Sequence, residues 1–298
     1  MELPILLKMH PGYGMGDNVC FSIVLRHLQA YRPHWKIDFM TDRGREKIGA
    51  GLVNRVWHYE MPEQLDETQY KSVVRVNLFE CTANWCDRPC TSSVANLHEK
   101  FGIPYDATLG RYFIRVSTEV DALADESLKF LRAVGIHFNG QSNPAKKDLS
   151  REELTAICGA IQSTNRVPVL FDWRNRVDPW TLAKLGAISA SGLQLDGADV
   201  EHVAALISKC EAFIGIDSGP AKCASATDTP ALVIWKGHHP LFYHDPAPNT
   251  FHLVPEHHEK MMPAGGRSDR MAEYFQSAYR FGTYTDLVKG VREWLATI

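Results

Sequence analysis

The sequence contains no apolar run approaching the roughly 20 residues that a membrane-spanning helix needs. Its first residues lack the pattern of a secretory signal, so a cytoplasmic location is expected. An excess of one charge is missing too: 32 Lys and Arg against 35 Asp and Glu leave a formal net charge of −3. Tight, non-specific binding to nucleic acid therefore has no electrostatic footprint, while a local basic groove stays compatible with that charge. No internal repeat or low-complexity segment occurs. The cysteines number seven, an odd count, and Cys20, Cys158 and Cys210 fall on apolar faces, which suits reduced buried thiols. Cys81, Cys86 and Cys90 form Cys-x4-Cys-x3-Cys, but no fourth ligand completes a recognisable metal spacing. They read as loop thiols.

What is present is an alternation of short apolar runs with helical patterns. At 298 residues the chain has room for two domains, each with its own core. Strands are expected at Leu3 to Met9, Lys36 to Thr41, Val53 to Tyr59 and Val73 to Phe79, with a helix from about Asp17. A helix is expected over Ser92 to Phe101, and a charged helical segment over residues 119 to 132 holds the boundary between domains 1–125 and 126–298. The alternation then restarts with strands at Val134 to Phe138 and Val167 to Trp173. Ser150-Arg-Glu-Glu153 is a capping box, Asp178-Pro179 supplies a cap and a first helical residue, and Asp199 caps another helix. A final helix, about Thr285 to Ala296, carries Leu287, Val288, Val291, Trp294 and Leu295 on one side, and packing back onto the first domain is one option for it. Such alternation implies a mainly parallel, doubly wound α/β fold in two Rossmann-like halves. Trp173, Trp180, Trp235 and Trp294 read as packing residues, and His257-His258 as surface.

Two segments carry chemistry. The run from Phe213 to Ile216 ends in Asp217-Ser218-Gly219-Pro220, and a small-residue helix follows. A strand end meeting a helix N-terminus is where open α/β sheets hold anions. Ser218 and Gly219 let backbone N–H groups approach a phosphate, and Pro220 fits the first helical turn. Lys222 sits in that turn, where a cation opposes the helix dipole, which points to a bound anion. The second segment is the loop His10-Pro-Gly-Tyr-Gly-Met-Gly-Asp17. A dinucleotide fingerprint would need glycine at position 17, and a carboxylate there repels a pyrophosphate. By itself Asp17 reads as a helix cap.

Together these motifs resemble the heptosyltransferase-like glycosyltransferases of family 9. The resemblance rests on Gly14-Met-Gly-Asp17, on Tyr31-Arg-Pro33 before Lys36 to Thr41, and on Asp217-Ser-Gly-Pro220 with the helix after it. One departure is Lys222, where the family has histidine. The resemblance implies the GT-B fold, two Rossmann-like domains facing each other across a cleft. It implies a metal-independent inverting transfer of a sugar from a nucleoside-diphosphate sugar to an acceptor hydroxyl, with no further cofactor. Asp17 would be the base. Donor contacts would come from Gly14, Gly16, Gln141, Ser142, Lys146, Asp178, Ala198, Asp217, Ser218, Gly219, Pro220, Lys222 and His238, with Lys146 favoured over Lys147 by spacing. A plain loop position stands beside the donor contact for His238. The family's usual donor is ADP-heptose and its usual acceptor the lipopolysaccharide inner core. Lys222 and the poorly matching stretch 80–112 leave both open. Two further readings are a glycosyltransferase acting on hydroxylated bases in viral DNA, marked by a basic rim of Arg43, Arg45, Lys47, Arg88 and Lys100, and a non-catalytic nucleotide-sugar binding module.

Overall fold

Leu3–Met9 forms strand β1 at an interior position of a parallel sheet, and its residues explain why. Ile5, Leu7 and Met9 point to one face and Leu6 to the other, and all four are at most 5% exposed. A strand apolar on both faces belongs inside a parallel sheet covered on both sides. The computed structural model describes residues 2–60, 65–76, 97, 100–141, 143–261 and 269–298. Strands β2 (Trp35–Thr41), β3 (Arg55–His58) and β4 (Ser72–Val76) complete the first sheet in the order β3-β2-β1-β4. Ile5 pairs with Ile37 and Leu7 with Val74.

Helix α1 (Met15–Tyr31) follows β1 and is buried almost all round from Gly16 to Leu28. A helix buried on every side lies between two layers: one is the first sheet, through Phe21 and Phe39 stacked at 5.6 Å, and the other is the second half of the chain. His27, inside α1, is held in one neutral tautomer. Its Nδ1 donates to the Ile23 carbonyl at 2.8 Å and its Nε2 accepts from Asp106 N at 2.9 Å.

Helix α2 (Thr118–Leu128) packs on α5 (Val200–Ser208) of the second half. The second sheet is all parallel in the order β11-β10-β9-β8-β5-β6-β7. Its strands are β5 (Ala133–His137), β6 (Val167–Leu170), β7 (Ile188–Ser189), β8 (Ala212–Ile216), β9 (Ala231–Ile234), β10 (Thr250–Pro255) and β11 (Arg280–Tyr284). Among the described residues the longer helices that remain are α3 (Arg151–Gln162), α4 (Pro179–Leu185), α6 (Gly219–Ser225), α7 (Asp269–Ala278) and α8 (Leu287–Leu295), beside one-turn helices at Pro144–Lys147 and Pro240–Tyr243. The capping box at Ser150 and Glu153 forms, with both reciprocal hydrogen bonds present. Asp178 and Asp199 cap α4 and α5. One apolar cluster joins β1 and α1 to α5, α6 and the facing side of the second sheet, and another fills the outer side beneath α3 and α8.

Four expectations change. Helix α8 packs on α3 and the outer face of the second sheet, not on the first half, because its Leu287, Val291, Trp294 and Leu295 stripe meets Ile157 and Ile161 there. Trp180 is 64% exposed, with Lys184 Nζ 3.3 Å from its ring centre. His258 is half-buried, 3.2 Å from His239 Nε2 and against Phe275 and Phe281, so it is not a surface residue. Strand β6 ends at Leu170 rather than Trp173. Cys81, Cys86, Cys90, Arg88 and all but Leu97, Lys100 and Phe101 of the expected 92–101 helix lie outside the described residues.

Burial of neutral histidines sets a pH dependence. Burial pushes His252 and His239 down to about 3 and His137 to about 4, and holds His244 well below the ordinary value. Below pH about 6.5 the unfolded chain takes up protons that these rings refuse, so stability falls as pH drops toward 4. Each ring contributes up to about 1.4 kcal/mol per pH unit in that window. Thermal melts at constant ionic strength should show Tm level from pH 7 to 8 and falling steeply below pH 6. A Tm unchanged between pH 7 and 5 would contradict burial of these rings.

Candidate functional site

Both sheets reverse their strand order beside the first strand of their half, between β1 and β4 in one and between β5 and β8 in the other. The carboxyl ends of strands at such points are where open α/β sheets bind ligands. The loop after β1 leads into α1, and the residues after β8 lead into α6. The two helix N-termini meet.

Glycines make this approach possible. A Cβ at Gly219 would sit 2.8 Å from Met15 Cβ and 3.1 Å from Gly16 N. A Cβ at Gly16 would lie 3.3 Å from Gly219 Cα and 3.3 Å from Lys222 Nζ. Gly16 and Gly219 therefore serve close packing of one half on the other in this structure. That function is invisible to a phosphate-loop reading, which treats each loop alone. Gly14 caps α1, and a side chain there would crowd Asp17 Oδ2 at 3.3 Å.

Asp17 lies in the first turn of α1, half-buried, and its side chain makes no capping bond. The cap reading of Asp17 is corrected accordingly. The loop before it is fixed by Asn18, which no sequence motif marks. Asn18 Nδ2 donates to the carbonyls of Tyr13 (3.3 Å) and Gly14 (3.1 Å), and its Oδ1 accepts from Thr41 Oγ1 at 2.8 Å. A buried Asn one residue after a loop carboxylate was the available signal.

Asp217 is 6% exposed and surrounded by cations. Its carboxylate accepts from His238 Nδ1 at 2.9 Å and from Lys147 Nζ at 2.8 Å. Burial acts to raise its pKa, but the His238 bond and the Lys222 and Lys147 charges win and hold it far below the usual carboxylate range. His238 thus belongs to this charge cluster and stacks on Tyr243 at 4.8 Å. Spacing favoured Lys146, yet Lys146 is exposed and Lys147 reaches Asp217. The loop is held in place for this. Gly237 lies against the Lys146 backbone, Gly140 N donates to Asp148 Oδ1 at 2.7 Å, and Lys236 spans to Asp148 O and Glu153.

Lys222 is also 6% exposed, which removes the solvated-lysine explanation. Burial acts to lower its pKa, and the surrounding Cys20, Asp17, Asp217 and Asp245 hold it above the ordinary lysine value. Burial pushes the Cys20 thiol up to about 11, so at neutral pH the three carboxylates carry that effect. The chain's own carboxylates surround Lys222, a setting that its position in α6 alone does not reveal. The residue therefore lies electrostatically between Asp17 of one half and Asp217 of the other.

The remaining expected site residues are more scattered. Ser218 Oγ donates to the Ile216 carbonyl at 3.1 Å, and Pro220 lies in the first turn of α6. Asp178 is exposed and accepts from Thr181 N (2.9 Å) and Oγ1 (2.6 Å), so its contacts are those of a cap. The Ala198 carbonyl accepts from Arg45, beside Gly44, on the seam between the halves. Gln141 is exposed, and Ser142 lies outside the described residues. Among the described residues no group of three or more His, Cys, Asp or Glu is placed to hold a metal ion.

Residues 142–274 match the model of glycosyltransferase family 9 (heptosyltransferase). The fold is similar to the ADP-heptose lipopolysaccharide heptosyltransferase II of E. coli, at 16% identity and TM-score 0.64 over 85% of this chain and 90% of that one. It is similar also to a family 9 glycosyltransferase of Veillonella parvula, at 14% identity and TM-score 0.65 over 100% and 98%. A third likeness is to the dodecameric iron-containing heptosyltransferase TibC in complex with ADP-D-β-D-heptose, at 16% identity and TM-score 0.62 over 100% and 79%. No curated protein matches. The two halves have the GT-B fold of these structures, and the family 9 match lies in the second half.

Proposed function

We propose that this chain is a glycosyltransferase that moves a sugar from a nucleoside-diphosphate sugar to an acceptor hydroxyl, with inversion and without a metal. The observation that carries the reading is the meeting of the α1 and α6 N-termini, with Lys222 between Asp17 and Asp217. The Asp17 carboxylate takes the proton of the acceptor hydroxyl. The freed oxygen attacks the anomeric carbon from the face opposite the leaving group. The anomeric C–O bond to the diphosphate breaks, and its electron pair leaves with the nucleoside diphosphate. Lys147, Lys222 and the backbone N–H groups after Ser218 are the groups suited to receive that charge.

ADP-heptose is the donor that the similar heptosyltransferases suggest, and a saccharide of the lipopolysaccharide core the matching acceptor. A DNA acceptor has less support, because three of the five basic residues it would use are engaged elsewhere. Arg45 holds the Ala198 carbonyl, Lys47 pairs with Glu201 at 3.0 Å, and Lys100 donates to the Arg75 carbonyl. Among the described residues no helix is long and apolar enough to cross a membrane, so a lipid-linked acceptor would be met without a span there.

The test is transfer from ADP-heptose to core saccharide in excess EDTA, with the product's anomeric configuration read by NMR. Undiminished rate with an inverted product is expected. Retained configuration, or loss of activity restored by iron or another metal, would contradict the single-base, metal-free mechanism.

A further inference from the structure

Two buried polar atoms beside the site take no part in the chemistry above. His137 Nδ1 and Asn139 Nδ2 are sealed from solvent and have no hydrogen-bond partner. Native structures pair nearly all such groups, and each exception calls for a reason.

Their place in the fold supplies one. His137 ends β5 and pairs in register with Gly215 of β8, two residues before Asp217. Carried two residues further, that register sets Asn139 level with Asp217. Strands β5 and β8 are the pair between which the second sheet reverses its order, so both atoms lie at its switch point. Alternation along β5 sends Val134, Ile136 and Phe138 into the outer core under α3 and α8. His137 takes the other side with Gly135, whose Cβ position meets Phe171 and Phe213.

The chemistry of the pair differs from that of its neighbours. Cations stand at the β8 end, where Lys147 and Lys222 surround Asp217. At the β5 end His137 and Asn139 themselves are uncharged. Burial, with the charge of Arg176 adding to it, keeps His137 a neutral imidazole at physiological pH. A neutral imidazole nitrogen and a carboxamide N–H suit a hydroxyl, which gives a hydrogen bond and takes one. We propose that His137 Nδ1 and Asn139 Nδ2 bind neighbouring hydroxyls of the donor, on its ribose or its transferred sugar, while Lys147 and Lys222 hold the diphosphate. This assignment rests on the transfer reading and specifies its donor subsite.

The test compares the native chain with Asn139→Leu and His137→Phe. Asn139→Asp, equal in size but lacking the N–H donor, gives the binding readout if leucine is not accommodated. Melting of the free proteins comes first. Removing an unpaired buried group should leave Tm unchanged or raise it. Calorimetry follows with ADP, GDP, UDP, CDP and dTDP, their glucose conjugates and ADP-heptose. For whichever ligands the native chain binds, the variants should lose at least tenfold in affinity. If the ribose is held, the 2′,3′-dideoxy nucleotide binds native protein at least tenfold more weakly and the variants no worse. If the transferred sugar is held, only the nucleotide sugar loses affinity. Unchanged affinity in the variants overturns this inference and leaves the transfer reading standing. A clear fall in Tm of both free variants shows the atoms to be paired in solution and overturns it too. Absence of binding by the native chain to the whole panel contradicts the transfer reading itself, and the inference goes with it.

Discussion

Asp17→Asn should lower the rate of transfer by roughly 10²- to 10⁴-fold, the range that general-base catalysis supplies, and leave donor affinity within about twofold. The asparagine keeps the size of the side chain and removes its ability to take a proton. The cap of α1 should survive, because it is Gly14 and Asp17 makes no capping bond. The lost charge beside Lys222 should lower Tm less than Asp217→Asn does, since Asp17 is only half-buried. The loop that presents it is tied by Asn18 to Tyr13, Gly14 and Thr41, contacts that the substitution does not touch. Initial rates at saturating donor, beside calorimetric affinities, separate the two effects. Retention of more than a tenth of the native rate would remove Asp17 from the role of base. A binding-only module predicts that Asp17→Ala leaves both donor binding and biological activity intact.

Asp217→Asn should cost the fold about 3–5 kcal/mol, the penalty for removing one partner of a buried charge cluster. Lys222 is 6% exposed and the Lys147 side chain 12% exposed, so neither charge has ready access to water. A carboxamide of the same shape can accept from Lys147 and His238 but balances neither lysine charge. At roughly 2–4 °C per kcal/mol for a chain of this size, Tm should drop by about 10 °C. Because the cluster is buried, 0.5 M salt should recover little of the loss, whereas a surface pair would be screened. A fall of less than 2 °C would mean that Asp217 is hydrated in solution and that its neighbours do not depend on it.

Local rules carried far in this chain. The apolar run of β1, the capping box at Ser150, the Asp178-Pro179 start and the strand–Asp–Ser–Gly–Pro–helix unit all formed near their expected places, because each depends on residues within a turn of one another. What escaped notice depends on partners distant in the chain. Gly16 and Gly219 lie some 200 positions apart, and their shared purpose appears only once α1 and α6 touch. Lys146 and Lys147 are neighbours on one short turn, and only the position of Asp217 decides between them. The carboxylates around Lys222 include Asp17 and Asp245, which are invisible from within α6. Trp180 followed an apolar pattern, but a seven-residue helix on the rim of a sheet has a broad solvent face. His137 and Asn139 carried no motif at all. Missing partners, not spacing, mark them out.

A thermal-shift series with ADP, GDP, UDP, CDP and dTDP bears most directly on a donor site at the carboxyl ends of β5 and β8. A ligand at about 100 times its Kd stabilises the native state by about 2.7 kcal/mol, which for this chain is roughly 5–10 °C. A shift of that size is expected with at least one nucleoside diphosphate at millimolar concentration, and a much smaller one in Asp217→Asn, measured from that variant's own Tm. No shift with any of the five would contradict the donor site and the transfer chemistry built on it.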